Sequence, residues 1–260
     1  MLLAIDIGNS TVACGLFSDG ILQADWHFPS DPFTSGEEYG DLIRAGIRAA
    51  GHEPGEVRGV ALCSVVPRLT PVFMLVASFQ FSLSPLVASA DLDTGLTLRY
   101  TDPRELGMDR LVGAAAAYAR HRSWLILVDL GTATTFSVVS ESGDYLGGAI
   151  APGLGISADA LAARTAQLPR VPLTPPPSVI ARDTRSSIQS GLLFGHAALV
   201  DGMVERIQRE LGPKARAKVL ATGGQAALIA PLSRTIQETR PHLTLEGLDW
   251  LYRRLQDKEK

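Results

Sequence analysis

Two aspartates occupy the same place in two copies of one local pattern. Residues 2–11 read LLAIDIGNST and residues 124–135 read WLILVDLGTATT. In each, an apolar run ends in an aspartate, then one more apolar residue, then a glycine, then small polar side chains. Glycine permits a tight turn and lets the backbone come close to a ligand. The N–H groups of such a turn form a concave anion site, and Ser10, Thr11, Thr132, Thr134 and Thr135 add hydroxyl donors. Asp6 and Asp129 are anionic, so their natural partner is a cation held between carboxylate and phosphate, Mg²⁺ usually through waters. One such turn would read equally well as an ordinary hairpin end. Two, each followed by a strand-turn-strand pattern, predict a pair of jaws on a nucleoside triphosphate. Thr222-Gly223-Gly224 follows a strand and precedes a helical stretch at 225–230, which leaves room for a base and ribose against the backbone.

The elements that must position these residues are legible in outline. Apolar runs at 2–6 and 12–17 and a partly alternating run at 21–28 predict an antiparallel meander. Ser35-Gly36-Glu37-Glu38 reads as a capping box. It opens a helix with Tyr39, Leu42, Ile43, Ile47 and Ala50 on one face, ended by Gly51. A buried strand over 57–66 is closed by Pro67, and a helix near 70–79 and a strand near 86–88 follow. The second half repeats the logic, with strands at 124–130, 134–140 and 145–150 and a helix over 153–166. Four prolines make 171–178 a rigid loop. A long helix over 186–211 has Ile188, Leu192, Leu199, Met203 and Ile207 inward, a strand covers 219–221, and the last helix covers 246–255. The class is α/β with two domains. The boundary falls near the helix at 110–121, giving 1–118 and 119–260, with the C-terminal helix able to pack back on the first domain.

Composition narrows the function classes. The 260 residues are 46% hydrophobic and 20% charged, a globular balance. A net charge of −3 gives no general electrostatic reason to expect nucleic acid or a membrane surface as partner. There is no basic n-region or cleavage site at the N-terminus, and no apolar run approaches the ~20 residues that span a bilayer. A cytoplasmic protein is expected. Cys14 and Cys63 lack zinc or disulfide spacing and read as buried thiols. The five histidines show no metal-ligand spacing.

Taken in order, the motifs resemble the type III pantothenate kinase family, within the superfamily of actin and the sugar and acetate kinases. They are Asp6-Ile-Gly-Asn-Ser10, Ser64-Val-Val-Pro67, Gly107-Met-Asp-Arg110, Asp129-Leu-Gly-Thr-Ala-Thr-Thr135 and Gly147-Gly-Ala-Ile-Ala-Pro-Gly153. Leu168-Pro-Arg-Val171, Asp183-Thr184, Ser187-Ile-Gln-Ser-Gly191 and Thr222-Gly-Gly224 continue the series nearly end to end. The resemblance implies two actin-like (ribonuclease H-like) domains, each a mixed sheet flanked by helices, with ATP in the cleft between them. It implies phosphorylation of pantothenate at its 4′-hydroxyl, the first step toward coenzyme A.

The resemblance also distributes roles. Asp109 becomes the general base that takes the hydroxyl proton; from residue statistics alone it would be a carboxylate favouring a helix dipole. Tyr100, Gly107, Met108, Arg110 and Thr184 become substrate contacts. ATP falls to Asp6, Gly8, Asn9, Ser10, Thr11, Thr132, Gly223 and Gly224. Mg²⁺ accompanies ATP at Asp6, and Asp129 holds a monovalent cation, potassium or ammonium. Two departures stand out: Ser137 where the family usually has an aspartate, and Ala181-Arg182 where a glycine and a basic residue are commoner.

A homodimer with a substrate pocket completed across the interface is expected partly from the resemblance. The residues add Gly191, Gly195 and Gly202 in the long helix, extended by Ala197 and Ala198, a surface on which another helix can approach closely; packing within the chain would use them as well. The alternatives are another small-molecule kinase or phosphatase of the superfamily, a regulatory relative that has lost catalysis, and a polymerising filament. Intact Asp6, Asp109 and Asp129 argue against lost catalysis, and no separate residue stands ready to activate water for a phosphatase.

Overall fold

The two aspartate-bearing strands are the central strands of two sheets in a computed structural model that describes residues 1–258. β1 (Leu2–Ile7) pairs antiparallel with β2 (Thr11–Ser18) and parallel with β4 (Gly59–Ser64). β3 (Ile21–Pro29) lies outside β2 and β5 (Leu86–Val87) outside β4, giving the order β3-β2-β1-β4-β5. A short strand β6 (Thr97–Leu98) follows. β7 (Leu125–Leu130) is framed in the same way, antiparallel to β8 (Ala133–Val139) and parallel to β10 (Lys218–Thr222). β9 (Asp144–Pro152) flanks β8 and β11 (Glu238–Thr239) flanks β10, so β11-β10-β7-β8-β9 repeats the first order. Each half is a mixed sheet flanked by helices, the actin-like α/β architecture.

The chain divides into two compact units: residues Met1–His121 joined by those from Leu243 on, and Arg122–His242. In the first unit both faces of β1 are covered, which is why its sequence is almost continuously apolar. Leu3, Ile5 and Ile7 pack with Tyr39, Ile43 and Ile47 of α1 (Gly36–Ala49) and Phe73 and Val76 of α2 (Thr70–Phe81). Leu2 and Ala4 face the other way, toward Val112 of α3 (Met108–His121) and Leu245, Leu248 and Leu251 of α7 (Leu243–Lys258). Period-two alternation therefore puts Asp6 on the face where α3 begins. The capping box of α1 is present: the Ser35 hydroxyl accepts from the Glu38 N–H at 3.2 Å, and Glu38 accepts from the Ser35 N–H at 2.8 Å.

In the second unit, Ile126, Val128 and Leu130 pack against α5 (Thr184–Leu211). The inward face of α5 differs from the expected one. Its buried centre is Leu193, Ala197, Val200 and Val204 beside Ile188 and Leu192, while Leu199, Met203 and Ile207 are only partly buried at the flank. All five expected residues pack with this core, but smaller ones such as Ala197 and Val200 share its centre, so the large side chains alone mark only part of the stripe. Ala197 is 3% exposed and belongs to the core, not to an outward small-residue surface. α4 (Leu154–Arg164) is shorter than expected, α6 (Ala226–Ile229) runs on as a single 3₁₀ turn to Leu232, and α7 is longer at both ends. The proline-rich loop carries no regular element. No helix among the described residues is long and apolar enough to cross a membrane.

Candidate active site

In the first unit the turn after β1 closes through the Gly8 N–H, which donates to the Thr11 carbonyl at 3.0 Å. A Cβ on Gly8 would stand 3.0 Å from the same oxygen, so the turn fits only glycine without displacement. Asn9, Ser10 and Thr11 are exposed at its tip. Asp6 lies in register with Cys63 of the neighbouring parallel strand. The Cys63 thiol is wholly buried and pushed far up, first by burial and then by the Asp6 and Asp109 carboxylates. Both carboxylates thus bear on one thiol, and the structure brings together two residues separated by a hundred positions.

Asp109 is the second residue of α3. Arg110 and Leu111 donate their N–H groups to the Gly107 carbonyl at 3.1 and 3.2 Å and so start the helix. A Cβ on Gly107 would come within 2.5 Å of Asp109 Oδ1, which ties that glycine to the carboxyl's position. Oδ1 is buried and has no hydrogen-bond partner among the described residues. Burial lifts the Asp109 carboxyl above its ordinary value, against the pull of the Arg110 N–H and guanidinium. A carboxyl so placed is a good proton acceptor. Arg110 is itself only 9% exposed. Met108 and Tyr100 are half-buried, Tyr100 just ahead of a turn capped by Asp102, whose carboxylate accepts the Arg104 N–H at 3.0 Å.

In the second unit three chain segments close around Asp129 by virtue of glycines. Gly131 donates its N–H to the Ala133 carbonyl at 3.1 Å. Gly153, just ahead of α4, sits against the Gly131 and Thr132 carbonyls, where a Cβ has no room. Gly223 takes a φ of +89°, and a Cβ there would run into Asp129 Oδ1 and the Leu130 carbonyl. The Gln225 N–H donates to that carbonyl at 3.0 Å. Thr132 and Gly224 are exposed at this turn.

Some expected residues stand elsewhere. Thr134 is fully buried, with its hydroxyl 2.8 Å from His196 Nε2, so it faces the core of α5 and not the turn. Ser137 is buried too, 2.9 Å from the Tyr145 hydroxyl. Thr184 is exposed at the first turn of α5, which Asp183 caps by accepting the Ser186 N–H at 2.9 Å. Nothing in the sequence marks Cys63 as a neighbour of Asp6; only strand register reveals it. Among the described residues, no three His, Cys, Asp or Glu side chains gather as a metal-binding group. Asp6 and Asp129 each offer hard carboxylate oxygens beside a glycine turn, donors of the kind that suit Mg²⁺ or an alkali cation.

Comparisons with known proteins identify the family. A family model described as type III pantothenate kinase matches residues 2–206. The type III pantothenate kinase of Geotalea daltonii is 44% identical over 254 residues, 98% of each chain. That of Dehalococcoides mccartyi is 47% identical over 251 residues, 96% of each. Among solved structures, the (R)-2-hydroxyglutaryl-CoA dehydratase component A of Acidaminococcus fermentans superposes with a TM-score of 0.56 at 14% identity, covering 96% of each chain. The activator of the 2-hydroxyisocaproyl-CoA dehydratase from Clostridium difficile, with bound ADPNP, gives 0.55 at 11%, covering 99% of this chain and 96% of that one. At such identities the likeness is one of fold, whereas the curated relatives carry the activity: the chain belongs to the type III pantothenate kinase family.

Proposed function

We propose that this kinase transfers the γ-phosphoryl group of ATP to the 4′-hydroxyl of pantothenate, with Asp109 as general base. The observation that carries the assignment is the buried, unpartnered Oδ1 of Asp109 in the first turn of α3, with its carboxyl raised by burial. Asp109 takes the hydroxyl proton as the oxygen attacks phosphorus, the bond to the β–γ bridging oxygen breaks, and ADP leaves. Gly107, Met108, Arg110, Tyr100 and Thr184 hold pantothenate. Gly8, Asn9, Ser10 and Thr11 serve the phosphates in the first unit, where Asp6 would hold Mg²⁺ through water. In the second unit Thr132 contacts ATP, Asp129 would hold potassium or ammonium, and Gly223 and Gly224 receive adenosine. Magnesium supplies neutralisation of charge on the transferring group. Two buried free thiols, Cys14 and Cys63, suit a reducing, cytoplasmic setting.

The working unit is proposed to be a homodimer built on α5, with the substrate pocket completed by the second copy. Gly191, Gly195 and Ala198 are exposed on one face of the helix, and a Cβ on Gly191, Gly195 or Gly202 would touch nothing within 4 Å. Mixing Asp109→Asn with Thr184→Arg under subunit exchange should restore activity if the pocket is shared; a monomer by light scattering overturns the dimer.

The decisive assay offers the enzyme ATP with pantothenate, related pantetheine compounds, glycerol and sugars. Transfer to pantothenate in strong preference to the others is expected. A preference for a sugar or glycerol refutes the substrate assignment.

A further inference from the structure

The turns after β4 and β10 hold equivalent places in the two sheets. Asp6 is in register with Cys63, and Asp129 with Thr222. Beyond β4 the Val65 N–H donates to the Ile7 carbonyl at 3.0 Å; beyond β10 the Gln225 N–H donates to the Leu130 carbonyl at 3.0 Å. The second turn is one residue longer, and Gly223, at its positive φ, absorbs the extra residue. Both residues do the same backbone work, one with a valine side chain and one with a carboxamide. The fold therefore does not require an amide at this position.

Yet the amide is there, and it is unspent. Gln225 Oε1 is buried with no hydrogen-bond partner among the described residues. Nε2 stands 3.7 Å from the place a Cβ on Gly155 would take, beside the first turn of α4. A buried amide oxygen without a donor is costly, and native chains seldom keep one unless something outside the chain satisfies it. The side-chain torsions of glutamine are soft, so the carboxamide can rotate to present its oxygen and nitrogen together to a bound group.

We propose that Gln225 reads the base edge of the nucleotide and makes this kinase prefer adenine. The inference rests on the assignment of adenosine to Gly223 and Gly224. A carboxamide offers an acceptor and a donor side by side. Adenine answers with its N6 amine and an adjacent ring nitrogen, the pairing by which glutamine singles out adenine elsewhere. Hypoxanthine and guanine carry an oxygen at position 6, which sets acceptor against acceptor.

The test compares full-length wild type with Gln225→Leu and Gln225→Met, the second being close in shape. Thermal unfolding selects whichever variant folds like the wild type. kcat and KM are measured at saturating pantothenate with ATP, ITP, the triphosphate of purine riboside (which lacks the 6-amine) and dATP. Wild type is expected to favour ATP over ITP and over the purine analogue by ~5-fold or more in kcat/KM, the low end of a bidentate contact. In the variants that preference should collapse to within about threefold while kcat stays near wild type. Binding of ADP and IDP, measured by calorimetry, should show the same loss without any turnover. A wild type indifferent to the base, or variants that keep the full preference, overturns the proposal. A change in the ATP to dATP ratio alone overturns it too, since it moves the amide to the ribose. Failure to phosphorylate pantothenate with any nucleotide is separate: it removes the substrate reading, while the calorimetry still decides the role of Gln225.

Discussion

His196 Nε2 lies 2.8 Å from Thr134 Oγ1, and both residues are buried. The contact ties α5 to β8 two residues beyond the exposed Thr132. Replacing His196 by alanine leaves the Thr134 hydroxyl unsatisfied in the core, which should cost about 1–3 kcal/mol. Burial lowers the His196 pKa from its ordinary 6.5, so below that pH the unfolded chain takes the proton more readily than the folded one. The sign follows: stability at this site is unaffected above pH 6.5 and falls as the pH drops below it. Urea unfolding at pH 7.5 and 5.5 should show a larger loss for wild type than for His196→Gln.

Asp109→Asn should keep the fold and ATP binding while kcat falls ~10²–10⁴-fold, the usual effect of removing a general base. Burial raises this carboxyl, so ionising it weakens the folded state. The variant should be at least as stable as wild type near neutral pH. A folded variant with near-normal kcat removes Asp109 as the base.

Asp129 predicts a monovalent-ion requirement. Replacing potassium with a bulky organic cation at constant ionic strength should depress wild-type activity. Asp129→Ala should be slow and no longer respond to the exchange. A wild type indifferent to the ion, or a variant that keeps the full response, refutes the assignment.

Asp201 is 3% exposed and collects five donors. They are the Ser233 hydroxyl at 2.6 Å, the Arg234 and Thr235 N–H groups at 3.0 and 3.1 Å, the Thr235 hydroxyl at 2.8 Å and Arg234 Nε at 3.3 Å. Burial pushes its carboxyl up, but these donors outweigh it and hold the pKa below the usual 3.8. The stability it contributes is present above pH 3.8 and is lost as the pH falls through the lowered value. Asp201→Asn should cost about 1–3 kcal/mol at neutral pH, through weaker and mismatched hydrogen bonds to these donors. Its thermal midpoint should depend less on pH in the acid range than that of wild type.

The doubled strand-Asp-x-Gly turn was legible because it is local: apolar runs, a breaker and hydroxyls within ten residues. The capping box at Ser35 and Glu38 was legible for the same reason. What escaped depends on contacts distant in sequence. Thr134 looks like a turn hydroxyl until β8 is built and its side chain meets His196. The face of α5 is only partly legible, because Ala197 and Val200 lie at its centre while the larger Leu199 and Met203 pack at its flank. The approach of Asp6 to Asp109 is not legible in the sequence, since it depends on the register of β1 with β4 and on α3 starting on that face. Gln225 carries no periodic signal at all. It stands out only once Val65 is seen doing the same backbone work without an amide.

The core under Asp6 has a consequence for synthesis on the ribosome. Leu2 and Ala4 pack with Leu245, Leu248 and Leu251, which leave the ribosome long after them. The second unit is one uninterrupted stretch and can close as soon as His242 has emerged. The first must wait, with one face of its central strand only partly covered by α3, until the 16 residues of α7 arrive. A chain stopped short of Leu243 would therefore carry a finished second unit beside an unfinished first one. Whatever shields nascent chains has to protect the strand of Asp6 until α7 has emerged.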